Sequence, residues 1–452
     1  MGSESYRHPL AALRAQLSLS ASEYLTLLDR RHRELGYGAM ATRREKVARW
    51  ESGVCAPEPT AQLAIASLHG IAEQAVHELG WPDWLLLTFP DDRTALGAPW
   101  TREGTVASMA ASRRGGSVDR RGFLIATGAT LGGIVTQWSE SFDQLPTAPT
   151  GRRTLTGDMV TRLEQRLDDL RHLDDVLGGG ELRQIATAEF QLISSLADRA
   201  AYTSQTGRRL FTTVSEAARI CGWQYFDAGR QAAAQKYFIT ALRASATAGD
   251  PEAGAHVLSF MAIQTYSVGN PQDAVGLVQA AQNQTGQRRT TARVRSMLHA
   301  RAARALSKTP HGRNACTHEL SLARETFARG AHDDDPPWIY WMTEGEIEML
   351  AGSCALDLGD PRQALRFFEA ARAAEYSADG YVRDNALYLT RAAEAHLALG
   401  EIEEACTAAR QAFEQSSGVD STRPSGAITD LRKRLKPHRS TPVVRDFLEL
   451  TA

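Results

Sequence analysis

Lysine is scarce in this chain: of its 51 basic residues, 5 are lysine and 46 are arginine. Alanine abounds beside them, a bias that follows from GC-rich coding, so arginine number alone carries no functional meaning. Cysteine is scarce too. Cys55, Cys221, Cys316, Cys354 and Cys406 lie far apart and form no Cys-x-x-Cys pair, which argues against a disulfide framework or a zinc site and fits a reduced compartment. Net charge is nearly absent, −2 over 452 residues, so any nucleic-acid-binding surface must be local. No run reaches the roughly 18 to 20 apolar residues of a membrane span. The N-terminal MGSESYRHPLAALRAQL has no apolar centre of export-signal length.

Catalytic signatures are missing as well. The chain contains no HExxH, G-x-S-x-G, GxxxxGK[ST] or GxGxxG, and VLGGGELRQ lacks the lysine and preceding strand of a phosphate loop. Its twelve histidines are scattered without metal-ligand spacing. The expectation is a protein that is not an enzyme and that carries no cofactor and no metal. What is present is a packed chain, 43% apolar and 23% charged, long enough for two or three domains and cytoplasmic by expectation.

Helix punctuation is dense in the first ninety residues. LAALRAQL sets Leu10, Leu13 and Leu17 on one face. SASEYLTLLDRRHRELG opens with Ser20 and Glu23 at capping-box spacing, brings Tyr24, Leu27 and Leu28 to a core, and can stop at Gly36. TRREKVARWESG offers a second box, Thr42 with Glu45, and ends at Gly53; TAQLAIASLHGI supplies another helix beyond Pro57 and Pro59. At 100° per residue Val47 and Trp50 share the core side of the third helix. Arg44, Glu45, Ala48 and Arg49 face away, with Lys46 flanking and Arg43 in the first turn. Seven Arg/Lys stand against two Glu between Arg30 and Arg49, although residues 1–95 are slightly acidic overall. A local positive face on an acidic domain suits a helix in the major groove.

KVARWESGVCAPEP resembles the Trp-Glu-x-Gly-x-x-x-Pro stretch of the Cro/repressor-type (XRE) helix-turn-helix domains, and the likeness covers about residues 8–75. It implies that the helix running through Trp50 and Glu51 reads DNA. Arg43, Arg44, Glu45, Lys46 and Arg49 are then the DNA contacts, with Val47 and Trp50 as core. Arg44 and Glu45 are expected at base edges, and Arg43, Lys46 and Arg49 on phosphates; a capping role competes for Glu45. One departure is the usually tight turn before this helix, lengthened here by ELGYGAMA.

From Asp91 to about Thr154 the composition turns to Gly, Ser, Thr, Pro and Arg, and GAPWTREGTVASMAASRRGGS reads as linker. SVDRRGFLIATGATLGGIV imitates a twin-arginine export signal but lies deep inside the chain and is followed by no cleavage-site pattern. It is expected to be an apolar connector, packed on the following domain or at a dimer contact.

Beyond Gly151 the chain repeats. Gly229, Gly269, Gly359 and Gly400 are followed five residues on by Ala234, Ala274, Ala364 and Ala405; nine on by Phe238, Val278, Phe368 and Ala409; twelve on by Ala241, Ala281, Ala371 and Ala412. Small residues at the fifth and twelfth places let helices approach, and the middle residue fills the groove. PHGRNACTHELSLARETFARG keeps a looser version of uncertain register. The pattern resembles tetratricopeptide repeats with a period near 40 residues, and with the head it is similar to the helix-turn-helix–repeat regulators of filamentous actinobacteria. The resemblance implies a curved solenoid with a concave groove for a peptide or protein partner. In DDDPPWIYWMTEGEIEML, Trp338, Tyr340, Trp341 and Glu344 are the candidate groove contacts, with Glu348 nearby. Core packing competes, because Trp338 and Trp341 stand at i, i+3, and only one is expected to reach the groove. Asp168, Asp169, Asp174 and Asp175 read as a solvated face, lacking EF-hand spacing. The basic run in LRKRLKPHRS reads as a helix-end surface within a terminal cap.

The expected fold class is all-α. Residues 1–92 are expected to form an XRE-type DNA-binding head, 93–154 a linker with the connector, 155–440 a repeat domain for sensing and dimerisation, and 441–452 a tail. The implied protein is a homodimeric transcriptional regulator of double-stranded DNA with no membrane association. The alternative is a protein-interaction scaffold whose helix-turn-helix-like head no longer reads DNA.

Overall fold

The computed structural model describes residues 8–52, 54–88, 94, 96–114, 126–142, 154–177, 179–286, 290–374, 381–416 and 421–451. Among them the architecture is all-helical; the described residues contain no strand, only one isolated bridge between Thr154 and Ala201. No helix among them is long and apolar enough to cross a membrane.

The N-terminal unit holds α1 (Pro9–Gln16), α2 (Ala21–Glu34), α3 (Arg44–Glu51), α4 (Pro59–Leu68) and α5 (Glu73–Leu79), closed by a 3-10 turn over Asp83–Thr88. The Ser20–Glu23 capping box forms as the spacing predicts. The second one does not: α3 starts at Arg44 with Arg43 as its N-cap and no side-chain cap bond, so Thr42 lies outside the helix. Leu10, Leu13, Tyr24, Leu25, Leu28, Val47, Trp50, Ile65 and Trp84 make one core separate from the rest of the molecule. Leu17 falls beyond the end of α1 and is exposed, and Leu25 joins the core where Leu27 is only half-buried.

The stretch read as linker contains two packed helices, α6 (Arg102–Arg114) and α7 (Gly128–Glu140). Small side chains on α6 let it lie directly on the body. Thr105 Oγ1 meets Thr247 Oγ1 at 2.8 Å, and Ser108 and Ser112 meet Thr240 at 2.7 and 2.9 Å. The Arg120–Arg121 pair and residues 122–125 lie outside the described residues, and the apolar run is described from Ala126 onward. Trp138 of α7 is fully buried, donates to Ser245 Oγ at 3.1 Å, and sits over Gly254, where a Cβ would fall 2.4 Å from its ring.

The body begins with α8 (Gly157–Leu177) and α9 (Gly179–Arg199). Five helix pairs follow: α10 (Ser204–Asp227) with α11 (Gln231–Ala248), α12 (Pro251–Val268) with α13 (Pro271–Gly286), α14 (Ala292–Ser307) with α15 (Arg313–Phe327), α16 (Glu344–Asp357) with α17 (Pro361–Ala373), and α18 (Val382–Leu399) with α19 (Ile402–Ser416). α20 (Thr422–Leu435) and α21 (Pro442–Leu450) end the chain. Within each pair the helices pack on one another, and successive pairs stack. All twelve residues at the repeated fifth, ninth and twelfth places are buried. The third pair keeps the same register with Cys316, Leu320 and Ala323, also buried. His311 then takes the glycine place and holds a φ of +62°, close to the +74° of Gly229 and +79° of Gly359, so this turn is left-handed even where glycine is missing, whereas Gly269 closes its helix at a φ of −126°. At Asp360–Pro361 the next helix starts with the Asp360 carboxylate accepting from Gln363 N at 3.0 Å and proline in the first turn.

Candidate functional sites

The first site is the outer face of α3. Arg43, Arg44, Glu45, Ala48 and Arg49 are exposed, whereas Val47 and Trp50 are sealed in the core. Lys46 is half-buried with Nζ 5.6 Å from the Trp50 ring. Glu45 is no cap. Its carboxyl is exposed, 3.4 Å from Arg44 Nε, and is held below its ordinary pKa first by its own backbone N–H and then by Arg44. Arg14 clamps the end of α3 through both Glu51 oxygens, at 2.9 and 3.1 Å, and also donates to Leu19 O at 2.9 Å. The long turn over residues 35–43 is ordered from α2: Asp29 Oδ1 accepts from Met40 N at 2.7 Å, and the buried His32 ring bonds Gly38 O at 2.9 Å. The extra length therefore does not loosen the position of α3.

The second site is a cavity of about 700 Å³ on the inner side of the body. The inner face is bridged, not open. Arg383 Nη1 of α18 lies 3.1 Å from both carboxylate oxygens of Asp174 on α8. Asp227 at the end of α10 accepts from Ser421 Oγ at 2.8 Å and, through its carbonyl, from Thr422 Oγ1 at 2.7 Å. Early helices of the body, α8 and α10, thus meet late ones, α18 and the start of α20, across the space that the sequence reading left as an open groove.

Both tryptophans, Trp338 and Trp341, line this cavity, as does Tyr340. Trp338 stacks on the buried His256 ring at 3.7 Å between centroids and 10° between planes. Tyr340 donates to Asp175 Oδ2 at 2.5 Å and stacks on His172 at 4.4 Å. Glu344 is exposed in the first turn of α16 and is absent from the lining; its neighbour Glu346 is there instead, buried, accepting from Tyr388 OH at 2.9 Å. Glu348 is drawn away by Arg324. The acidic cluster on α8 meets the expectation in part, with Asp169 exposed as a solvated face would have it. Asp174 is buried and additionally accepts from Trp223 Nε1 and Gln224 Nε2, at 3.1 and 2.8 Å. Among the described residues no group of His, Cys, Asp and Glu could hold a metal ion.

Sequence reasoning missed the arginines of this cavity, since nothing separates them from their many surface counterparts. Arg304, Lys308 and Arg391 all converge on Asp357, the first two at 2.7 and 3.2 Å. Burial opposes the Asp357 charge, but Arg304 and the two further cations hold its pKa well below the usual carboxylate range. Glu346, beside fewer charges, is pushed up to about 8 by burial, so it is mostly protonated at neutral pH. Burial likewise pushes the His256 imidazole down to about 4, which leaves it a neutral ring. No protein-family model matches the chain, and no curated protein matches it.

Proposed function

We propose that this protein is a sequence-specific DNA-binding transcriptional regulator, with α2–α3 as its helix-turn-helix and a tetratricopeptide-like body that takes a partner or ligand and pairs two chains. The observation that carries this reading is the two-sided α3. Val47 and Trp50 bury one side, and Arg43, Arg44 and Arg49 stand exposed on the other, their side chains making no hydrogen bond or ion pair among the described residues beyond Arg44 to Glu45. A structural surface helix gains little from such unpaired positive charge, whereas a helix laid in the major groove uses it on phosphates and base edges. The XRE-type resemblance places base reading at Arg44 and Glu45 and phosphate contact at Arg43, Lys46 and Arg49. Double-stranded DNA is the partner, and two heads of a homodimer would engage paired half-sites.

The body supplies the regulatory half. Connector helix α7 is held from both sides: Thr127 N donates to Asp83 of the head at 3.2 Å, and Gly128 N donates to Asp273 of the body at 2.8 Å. A ligand that changes the packing of the body is positioned to reorient the heads through this joint.

The test is selection of genomic fragments by the purified full-length protein, beside Arg44→Ala, across a salt series. The expected result is one enriched motif for the wild type and a loss of about 1–3 kcal/mol in specific affinity for the variant. Weak and equal capture by both proteins, only at low salt, would overturn the reading in favour of a scaffold with a non-reading head.

A further inference from the structure

Arg301 of α14 is 8% exposed and lines the cavity, yet its side chain has neither a hydrogen bond nor an ion pair among the described residues. Its Nε is buried without a partner, and its guanidinium lies 5.1 Å from the centroid of the Trp341 ring. Buried charges are normally paired, because an unpaired one forfeits its hydration for nothing. The other charged groups of the region do not neutralise it. Asp357 is engaged by Arg304, Lys308 and Arg391, and Glu394 by Arg391 and Arg434. Asp174 and Asp384 lie on Arg383. Glu346 attracts Arg301 but stays mostly protonated at neutral pH through burial. Arg301 and Arg304 share one face of α14 at i and i+3, and Lys308 follows as its C-cap, so this wall carries positive charge toward the cavity.

The remaining wall is aromatic. Trp338 with its stacked His256, Trp341, Tyr340 and Phe260 present flat rings, and the volume of about 700 Å³ falls within the range that accepts a small organic molecule. The bridges from Arg383 to Asp174 and from Asp227 to Ser421 cross the inner face of the body.

We propose that the cavity is a binding site for a small aromatic anion, whose carboxylate or phosphate sits on Arg301 and whose ring lies against the Trp338–Trp341 wall. The anion supplies the partner that Arg301 lacks, and a charge-assisted, bidentate contact is the strongest that a guanidinium offers. This inference deepens the ligand-receiving half of the reading above and is independent of whether α3 reads DNA.

The experiment is calorimetric titration of the full-length protein, without DNA, with three probes of one ring: 2-naphthoate, 2-naphthyl phosphate and uncharged 2-naphthol. At least one anion is expected to bind about ten-fold or more tightly than naphthol, the equivalent of one charge-assisted contact. Tighter naphthoate than naphthyl phosphate assigns the site to carboxylates, and the reverse assigns it to phosphates. Arg301→Met should abolish the preference for the anion while leaving naphthol binding in place, and Arg301→Lys should restore part of it. Equal binding of all three probes by the wild type, or an unchanged preference in a folded Arg301→Met, would overturn the proposal. Should Arg301→Met not fold, the wild-type comparison of anion with naphthol still decides. Because no DNA is present, failure here leaves the fragment-selection result untouched, and the converse holds.

Discussion

Arg383 and Asp174 lie 209 residues apart in the chain and meet across the body, with Arg383 Nη1 3.1 Å from each Asp174 oxygen. Asp227 stands 4.0 Å from the same guanidinium, and Trp223 lies under it at 5.1 Å. Removing one member of a buried ion pair leaves the other charge uncompensated, at a cost of about 3–5 kcal/mol. Arg383→Met should therefore lower the unfolding free energy of the body, read from urea titration, by that amount. Adding Asp174→Asn to it should recover part of the loss, because the stranded carboxylate is gone. A loss under about 1 kcal/mol for the single variant would mean that the bridge is open in solution.

Glu346 sets a pH dependence of the opposite sense from most carboxylates. Burial raises its pKa from 4.5 to about 8 in the folded protein, whereas the unfolded chain releases the proton near 4.5. Between those values the native state binds more protons than the unfolded one, so stability falls as pH rises through this window and stays low above about 8. Glu346→Gln keeps an oxygen for the Tyr388 hydroxyl and has no proton to lose. Its unfolding free energy should match that of the wild type at pH 5 and exceed it at pH 9 by an amount on the order of a few kcal/mol, with the melting temperature shifted in the same direction. Parallel melting curves at both pH values would contradict the assigned protonation.

Close helix approach within the pairs is the next exposed premise. A Cβ on Gly352 would fall 2.4 Å from the Phe368 ring, and one on Gly222 would fall 2.5 Å from Phe238. These glycines sit in equivalent helices and face the same repeated large position. Gly352→Ala should cost about 1–3 kcal/mol through overpacking. Phe368→Leu in the same chain should relieve part of that, giving a double variant more stable than the sum of the single effects implies. Simple additivity in thermal melts would show that α16 and α17 do not approach this closely.

The apolar faces were legible because they depend on residues a few places apart. Val47 and Trp50 three apart, or Ala364, Phe368 and Ala371 four and three apart, announce one buried side of one helix, and all are buried. The cavity was not legible for the opposite reason. Nothing local distinguishes Asp174 from a solvated aspartate, since its cationic partner arrives from 209 residues away. Arg301 is one arginine among 46 until its helix is packed. Helix α6 was read as linker because Gly104, Ser108 and Ser112 are turn-forming types. Ser108 and Ser112 instead reach Thr240, and Thr105 reaches Thr247. Thr42 failed as a cap because α3 begins one residue later than the box requires, leaving Glu45 exposed.

The joint between head and body can be tested at Asp83, 4% exposed at the end of the N-terminal unit. Its two oxygens accept from Thr127 N and Thr127 Oγ1, at 3.2 and 3.3 Å, directly before α7 begins. Negative charge there also favours the α7 N-terminus, and Asp273 of the body bonds the adjacent Gly128 N at 2.8 Å. Asp83→Ala removes the head's half of this arrangement and leaves the Val47–Trp50 core intact. The variant should keep its helical circular dichroism while small-angle scattering reports a larger radius of gyration, and the head should melt at a lower temperature than the body. Asp83→Asn, which retains one acceptor without the charge, should fall between the two. Scattering curves that superimpose for all three proteins would show that the head is held by its other contacts, among them Leu86 against the core of the body, and that Asp83 does not couple the two.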